Sequence, residues 1–325
     1  MILVVAERQP DGALHPGCAD AVAAGRRLAG EGEPVVAVLP AGARGAAHDA
    51  LARLGVDEVR ALLHPALEPC TADGFMMALA ACIGAARPRA VVLPHTYQAR
   101  DIAPGLAARL GAPLVTDVTG IAGTPEAPTF LRPAHAGKLV AEVRPLGAPP
   151  LITCQLGALR DAGPDDARVP APVVDEAAQV DAARIRQRPE PPFREDRQTV
   201  DLGQARRIVA VGRGIGGAEH LGVAERLARA LGAEIAASRP VCDSGWLPMA
   251  RQVGSSGQTV APALYVALGV SGAIQHVVGM RGARTVVAIN KDASAPIFEV
   301  ADYAVVGDLF EIVPALAEAL EQDGT

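Results

Sequence analysis

Leu264 to His276 reads LYVALGVSGAIQH. Leu264-Tyr265-Val266-Ala267-Leu268 is apolar without alternation, as expected of a parallel strand covered on both faces. Gly269-Val270-Ser271-Gly272 then turns the chain into a predicted helix, Ala273–Met280, that carries Gln275 and His276. A strand, a turn of small residues and a helix start leave backbone N–H groups pointing outward, which suits a phosphate or another anionic part of a cofactor. Taken alone, an ordinary strand-to-helix turn explains the segment equally well.

A second candidate is Gly212-Arg213-Gly214-Ile215-Gly216-Gly217, a G-x-G-x-x-G placed after a predicted strand and before a predicted helix. That context is what a dinucleotide fingerprint requires. A nicotinamide site also wants an acidic residue at the end of the next strand, and Ser238-Arg239 stands there instead. Conventional NAD binding is therefore disfavoured. Val253-Gly254-Ser255-Ser256-Gly257 reads on its own as a flexible loop. No paired histidines have metal-ligand spacing, and no G-x-S-x-G, P-loop lysine motif or Ser/His/Asp set is present, so no residue is assigned a catalytic or metal-binding role. Arg100-Asp101 is expected at a helix start, where a capping role explains it better than anion binding. His15, His48, His64, His95, His135 and His220 carry no motif.

Two blocks of alternating strand and helix must position these residues. In the first, Ile2–Ala6, Val35–Leu39, Glu58–Leu62, Ala90–Leu93 and Leu114–Val118 are predicted strands. Helices are predicted near Cys18–Ala29, Ala46–Leu54, Asp73–Ala85 and Asp101–Leu110, a spacing that argues for a parallel sheet wrapped by helices. Phe130–Pro133 and Leu139–Arg144, around a turn at Ala136-Gly137, read as an antiparallel hairpin on the sheet edge, with Leu151–Gln155 closing the sheet. From Asp161 to Thr199 proline and charge replace periodicity, which predicts a linker with one strand near Ala182–Gln187. The second block has predicted strands at Ile208–Val211, Glu234–Ala237, Leu264–Leu268, Thr285–Ile289 and Ala304–Val306. Its predicted helices are Ala218–Ala230, Ala273–Met280 and Leu309–Glu321, and Arg239–Pro262 is irregular. The expectation is an α/β protein of two Rossmann-like domains with mainly parallel sheets: 1–160, a linker at 161–204, and 205–325.

Composition points the same way. A chain of 325 residues suits two domains. Half its residues are apolar but only 3% are aromatic, so small aliphatic side chains must fill closely packed interiors. A net charge of −6 argues against a nucleic-acid or anionic-membrane partner. Cys18, Cys70, Cys82, Cys154 and Cys242 are scattered and odd in number, as expected of buried thiols in a reducing compartment. No signal peptide or membrane-spanning run is evident, and a soluble cytoplasmic protein is expected.

VAPALYVALGVSGAIQH, VVAIN and APIFEVADYAVVGDLFEIVPAL together resemble the C-terminal, FAD-binding domain of the electron transfer flavoprotein alpha subunit. The likeness is dense from Ile208 onward. Over residues 1–160 it is looser, resting on element order and on RDIAPGLAARLGAPLVTDVTGI. The resemblance implies that Arg213 helps hold FAD, that Ser238 meets its phosphate region, and that Arg239 lies over the isoalloxazine ring. A guanidinium suits that last position because it stays charged and stacks on aromatic planes. Val253, Gly254, Ser255 and Ser256 occupy the family's Val-Gly-Gln-Thr/Ser position, so Ser256 places a hydroxyl at flavin N5, while Ser255 and Gln258 depart from the usual glutamine and basic residue. Ser271, Gly272, Ala273, Ile274, Gln275 and His276 match the flavin-binding run, with His276 near flavin O2. Asn290, Asp308 and Leu309 fall at the adenosine end. Asp308 also reads as a helix N-cap with Glu311 at the third helical position.

The implied function is that of an electron carrier rather than an enzyme. It would hold one FAD, pair with a beta subunit that carries AMP, accept electrons from flavin dehydrogenases of fatty acid β-oxidation or N-methyl amine oxidation, and deliver them to a membrane quinone oxidoreductase. The linker would let the flavin domain move between partners. Two alternatives stand beside it. One is a bifurcating or nitrogen-fixation-type alpha subunit (FixB) using NADH and ferredoxin; the other is a non-redox nucleotide-binding regulatory subunit.

Overall fold

A computed structural model describes residues 1–135, 138–147, 149–159, 169–190 and 202–322. The chain divides into two compact units, Met1–Ala134 with Leu139–Pro192, and His135–Lys138 with Phe193–Thr325. The first contains β1 (Ile2–Val5), α1 (Cys18–Leu28), β2 (Val35–Ala41), α2 (Ala46–Ala52), β3 (Glu58–Leu63), α3 (Ala72–Ala86), β4 (Ala90–Pro94) and α4 (Tyr97–Leu110). It continues with β5 (Leu114–Val118), β6 (Gly120–Thr124), β7 (Ala127–Ala134), β8 (Leu139–Val143), β9 (Leu151–Cys154) and β10 (Val173–Ala177).

Seven of these strands make one sheet in the order β10-β3-β2-β1-β4-β9-β5, every adjacent pair parallel. The central strands β1, β2 and β4 are buried at every position, as unalternating aliphatic runs require when helices cover both faces. One apolar cluster places Val4, Leu39 and Val92 with Leu28 and Leu51, and a second places Leu3, Val38 and Leu93 with Leu79 and Leu106.

Two details depart from the sequence expectation. β7 and β8 do form an antiparallel hairpin, but with β6 they make a separate three-stranded sheet rather than extending the parallel one. The expected turn residues Ala136 and Gly137 lie outside the described residues. β9 enters the parallel sheet between β4 and β5 instead of closing its edge.

The expected linker is also not wholly a linker. Val173–Ala177 pairs in parallel with β3 as an edge strand, and Ala182–Arg184 is a 3-10 turn rather than a strand. An edge strand has one open flank, so the VVDEA run tolerates exposed charge and hides its periodicity. Helix α4 is capped by Thr96, whose hydroxyl accepts from the Ala99 amide, so Arg100 and Asp101 sit inside the helix and not at its cap. Thr96 Oγ1 also donates to Glu7, just past β1. Four of the five cysteines are buried as expected; Cys70 is exposed.

The second unit contains β11 (Arg207–Val211), α5 (Leu221–Leu231), β12 (Glu234–Ala237), α6 (Arg239–Asp243), β13 (Leu264–Leu268), α7 (Ile274–Met280), β14 (Val286–Asn290), β15 (Tyr303–Val306) and α8 (Leu309–Gln322). Its five strands run β12-β11-β13-β14-β15, all parallel. The chain steps from β11 to β12 on one side, then returns to place β13 on the other. That reversal creates a crevice at the carboxyl ends of β11 and β13, where open α/β sheets bind ligands. Val209, Val211, Leu268 and Ile289 pack on α5 and α8 on one face, while Ile208, Tyr265, Ala267 and Ala288 pack with Val253, Val260 and Met280 on the other.

Candidate functional site

Because the sheet is wholly parallel, its five carboxyl ends share one edge. Each of the five loops leaving that edge carries a residue singled out from the sequence. Arg213 follows β11, Ser238 and Arg239 follow β12, and Ser271 to His276 follow β13. Asn290 ends β14, and Asp308 and Leu309 follow β15. Val253 to Ser256 lie on no regular strand. Val253 is tied alongside β12 by its amide, which donates to the Ala237 carbonyl at 2.9 Å.

The glycine-rich turn after β11 does two jobs. The Gly212 amide donates to Leu268 O at 2.8 Å and the Gly214 amide to Gly269 O at 3.1 Å, so the loops after β11 and β13 are stitched together. Gly269 has φ +60°, and a Cβ on Gly214 would lie 2.8 Å from Gly269 Cα. Only hydrogen side chains permit this approach. The turn then continues as two 3-10 segments, Arg213–Ile215 and Ala218–His220, and α5 starts only at Leu221. The third glycine of the fingerprint therefore does not open the helix, which departs from a dinucleotide turn. Arg213 is exposed beside this junction.

Helix α7 begins at Ile274 and has seven residues, one later and shorter than expected. Ahead of it, none of the backbone N–H groups of Ser271 to Gln275 donates a hydrogen bond within the chain among the described residues. The Ser271, Ala273, Ile274 and Gln275 positions are exposed, whereas Gly272 is buried against the Ile297 backbone. A run of unclaimed amides on an exposed turn is a receptor for anionic oxygens. This is the observation that fits a dinucleotide's phosphates to the crevice. The opposite wall of the turn is the 253–256 loop: Ser255 N donates to Gln275 O at 2.7 Å, and a Cβ on Gly254 would lie 2.8 Å from that oxygen.

Ser256 is exposed, and its Oγ accepts from Gln252 Nε2 at 2.9 Å. Gln252 is almost fully buried, with Oε1 lacking a partner. Sequence reasoning missed Gln252; a buried glutamine directly before the Val-Gly-Ser-Ser run was the available signal. Gln258 braces the same loop, its Oε1 accepting from Leu202 N at 3.1 Å and its Nε2 donating to Ala250 O at 2.5 Å. A neutral amide can tie both sides in this way, whereas a lysine has no acceptor.

Arg239 is 65% exposed and paired at 3.3 Å with Asp243, one helical turn on. Ser238 is buried at the α6 N-terminus, its amide on Val211 O and its hydroxyl making no capping bond. Asn290 Nδ2 donates to Val270 O at 2.9 Å, so it braces the loop after β13. Asp308 accepts from the Phe310 amide at 2.8 Å, the expected cap of α8, and Leu309 is buried beneath it.

His276 is also turned inward. It is buried, with Nε2 2.9 Å from the Tyr265 hydroxyl and Nδ1 without a partner. Burial pushes its pKa down to about 4, opposed in part by the Val253 backbone. The imidazole is therefore neutral near pH 7 and brings no fixed positive charge to the crevice.

Comparison with known proteins converges on one family. The electron transfer flavoprotein domain matches residues 2–179, and the electron transfer flavoprotein FAD-binding domain matches residues 201–281. The chain is similar to the electron transfer flavoprotein subunit alpha of Bacillus subtilis, 36% identical over 314 residues that cover 96% of this chain and 95% of that protein. It is 39% identical to the subunit of the same name from Mycobacterium tuberculosis over 320 residues, covering 98% of each. It is also 34% identical to Protein FixB of Clostridium saccharobutylicum over 317 residues, covering 96% and 94%.

Proposed function

The chain belongs to the electron transfer flavoprotein alpha-subunit family, and from that premise we propose that it is the FAD-holding half of a heterodimeric electron carrier. In this reading the second unit takes the FAD at the carboxyl edge of its sheet. The Ser271–Gln275 amides, Arg213 and Ser238 receive the phosphates, Arg239 lies toward the ring system, and Ser256 offers its hydroxyl to the ring. Asn290, Asp308 and Leu309 shape the adenosine end. When bound, the flavin supplies one-electron redox chemistry; the protein binds, orients and tunes it. The single observation that carries the reading is the run of unclaimed amides beside five loops that each present a candidate residue.

The side chains have separable roles. Arg239 contributes a fixed positive charge that favours added electrons on a neighbouring ring. Because Gln252 donates to Ser256 Oγ, the serine keeps its own proton free to donate outward. His276 contributes a neutral dipole. No residue is assigned as acid, base or nucleophile toward a substrate.

The proposed partner is a beta subunit that carries AMP. The proposed donors are flavin dehydrogenases acting on acyl-CoA or N-methyl amine substrates, the acceptor is a membrane quinone oxidoreductase, and the compartment is the cytoplasm. No helix among the described residues is long and apolar enough to cross a membrane. Similarity to Protein FixB keeps a second reading, in which NADH and ferredoxin replace that donor and acceptor. Co-expression with the neighbour-encoded partner, followed by a visible spectrum and extraction of the chromophore, tests the proposal. A yellow heterodimer holding FAD is expected. A colourless complex that cannot be reconstituted with FAD overturns it in favour of a non-redox nucleotide-binding subunit, and NADH-dependent ferredoxin reduction selects the second reading.

A further inference from the structure

Tyr265 is a phenol set in an aliphatic cluster. It is fully buried on β13 among Val253, Val260, Met280, Val286 and Ile297, where a phenylalanine would satisfy packing alone. Among the described residues its hydroxyl has one hydrogen-bond partner, His276 Nε2 at 2.9 Å, and the two rings meet edge to face with centroids 6.1 Å apart.

Two arrangements of the protons are possible in that contact. If Nε2–H donated to the phenol oxygen, the tyrosine's own proton would be stranded in an apolar interior, and Nδ1 would be a bare buried acceptor. If the phenol donates to Nε2, the tyrosine's proton is satisfied and the proton left over is the one on Nδ1. Each arrangement leaves one donor over, so the choice falls to the strength of the contact: the phenol O–H is the more acidic donor and the imidazole nitrogen the more basic acceptor, and the Val253 backbone favours a proton on the ring's other side.

We propose that Tyr265 is the positioning residue for His276: its hydroxyl donates to Nε2 and fixes the imidazole as the neutral Nδ1–H tautomer in one orientation beneath the crevice. The consequence for the cofactor rests on the flavin reading; the proton assignment does not. Burial and the Val253 backbone are what shift the imidazole, with no charged side chain among the causes, so the tautomer holds across the neutral range.

The test uses the full chain with its partner subunit, labelled with ¹⁵N-histidine and prepared both flavin-free and loaded with FAD. Two-bond correlations from the ring carbon protons report which nitrogen is protonated, and a His276→Gln sample assigns the signal. The wild-type protein should show a neutral Nδ1–H ring with no titration between about pH 5.5 and 8.5. Tyr265→Phe keeps the ring packing but removes the donor, and should move the signal toward Nε2–H or a mixture. In the loaded complex it should also shift the flavin potential without changing FAD content. An Nε2–H ring in the wild type, or an unchanged tautomer in Tyr265→Phe, overturns the assignment. Failure of the wild type to hold FAD would instead sink the flavin reading, and leaves the tautomer measurable in the flavin-free protein.

Discussion

Gly212 and Gly269 meet backbone to backbone at the switch point of the second sheet: a Cβ built on Gly212 would lie 2.2 Å from the Gly269 carbonyl oxygen. The other atoms in its way are the Gly269 carbonyl carbon and Val270 Cα, so no flexible side chain can yield. Gly212→Ala should therefore push the loops after β11 and β13 apart and break the Gly212 N–H bond to Leu268 O. A loss of more than about 2 kcal/mol is expected, together with loss of bound flavin. Chemical denaturation followed by flavin fluorescence measures both; a wild-type midpoint with full FAD content refutes the close-approach argument.

Ser256 and Gln252 predict a coupled pair. Ser256→Ala leaves the buried Gln252 amide with neither end satisfied, which should cost about 1–3 kcal/mol. Ser256→Thr keeps the hydroxyl and should be nearly neutral. Combining Ser256→Ala with Gln252→Met removes both polar groups, so the double variant should be more stable than Ser256→Ala alone. Additive losses in a double-mutant cycle would show that the hydrogen bond does not join them.

Arg239 predicts a redox effect that its exposure limits. Its ion pair with Asp243 is solvent-exposed and stabilises little, so Arg239→Ala should scarcely alter unfolding. The same variant should lower the flavin potential, by an amount on the order of 1 kcal/mol after solvent screening. Asp243→Asn removes the competing carboxylate and should raise it. Reductive titration of the FAD-loaded heterodimer reads both signs; equal potentials in all three proteins would remove Arg239 from the ring's surroundings.

The sequence made the parallel core of both units legible because their strands are aliphatic runs covered on both faces. β1, β4, β11 and β13 all fall within one residue of their expected ends at one terminus or both. What escaped is where burial is one-sided or local geometry decides. The edge strand β10 carries an exposed Asp175 and a half-buried Glu176, and α6 is a five-residue turn within a stretch that reads as irregular. At the site, the candidate residues could be placed after their strands, but the inward turn of His276 could not be foreseen. That orientation depends on Tyr265, eleven positions away, and on the cluster around both rings.

Glu7 supplies a pH signature for the first unit. Burial raises its carboxyl from the ordinary value of 4.5 to about 7, with the Thr96 hydroxyl bond opposing the shift. A carboxyl whose folded pKa is raised holds its proton more tightly folded than unfolded. Its contribution is therefore fully present below about pH 4.5, declines as pH rises toward 7, and stays at its lower value above that. Glu7→Gln is neutral at every pH and close in shape, so it escapes the decline. The variant should match the wild type near pH 4 and exceed it at pH 8 by roughly 3 kcal/mol. Urea unfolding of both proteins at the two pH values decides the matter. A gap that is constant with pH, or one that favours the wild type at pH 8, would mean that Glu7 ionises in the folded protein as readily as in water.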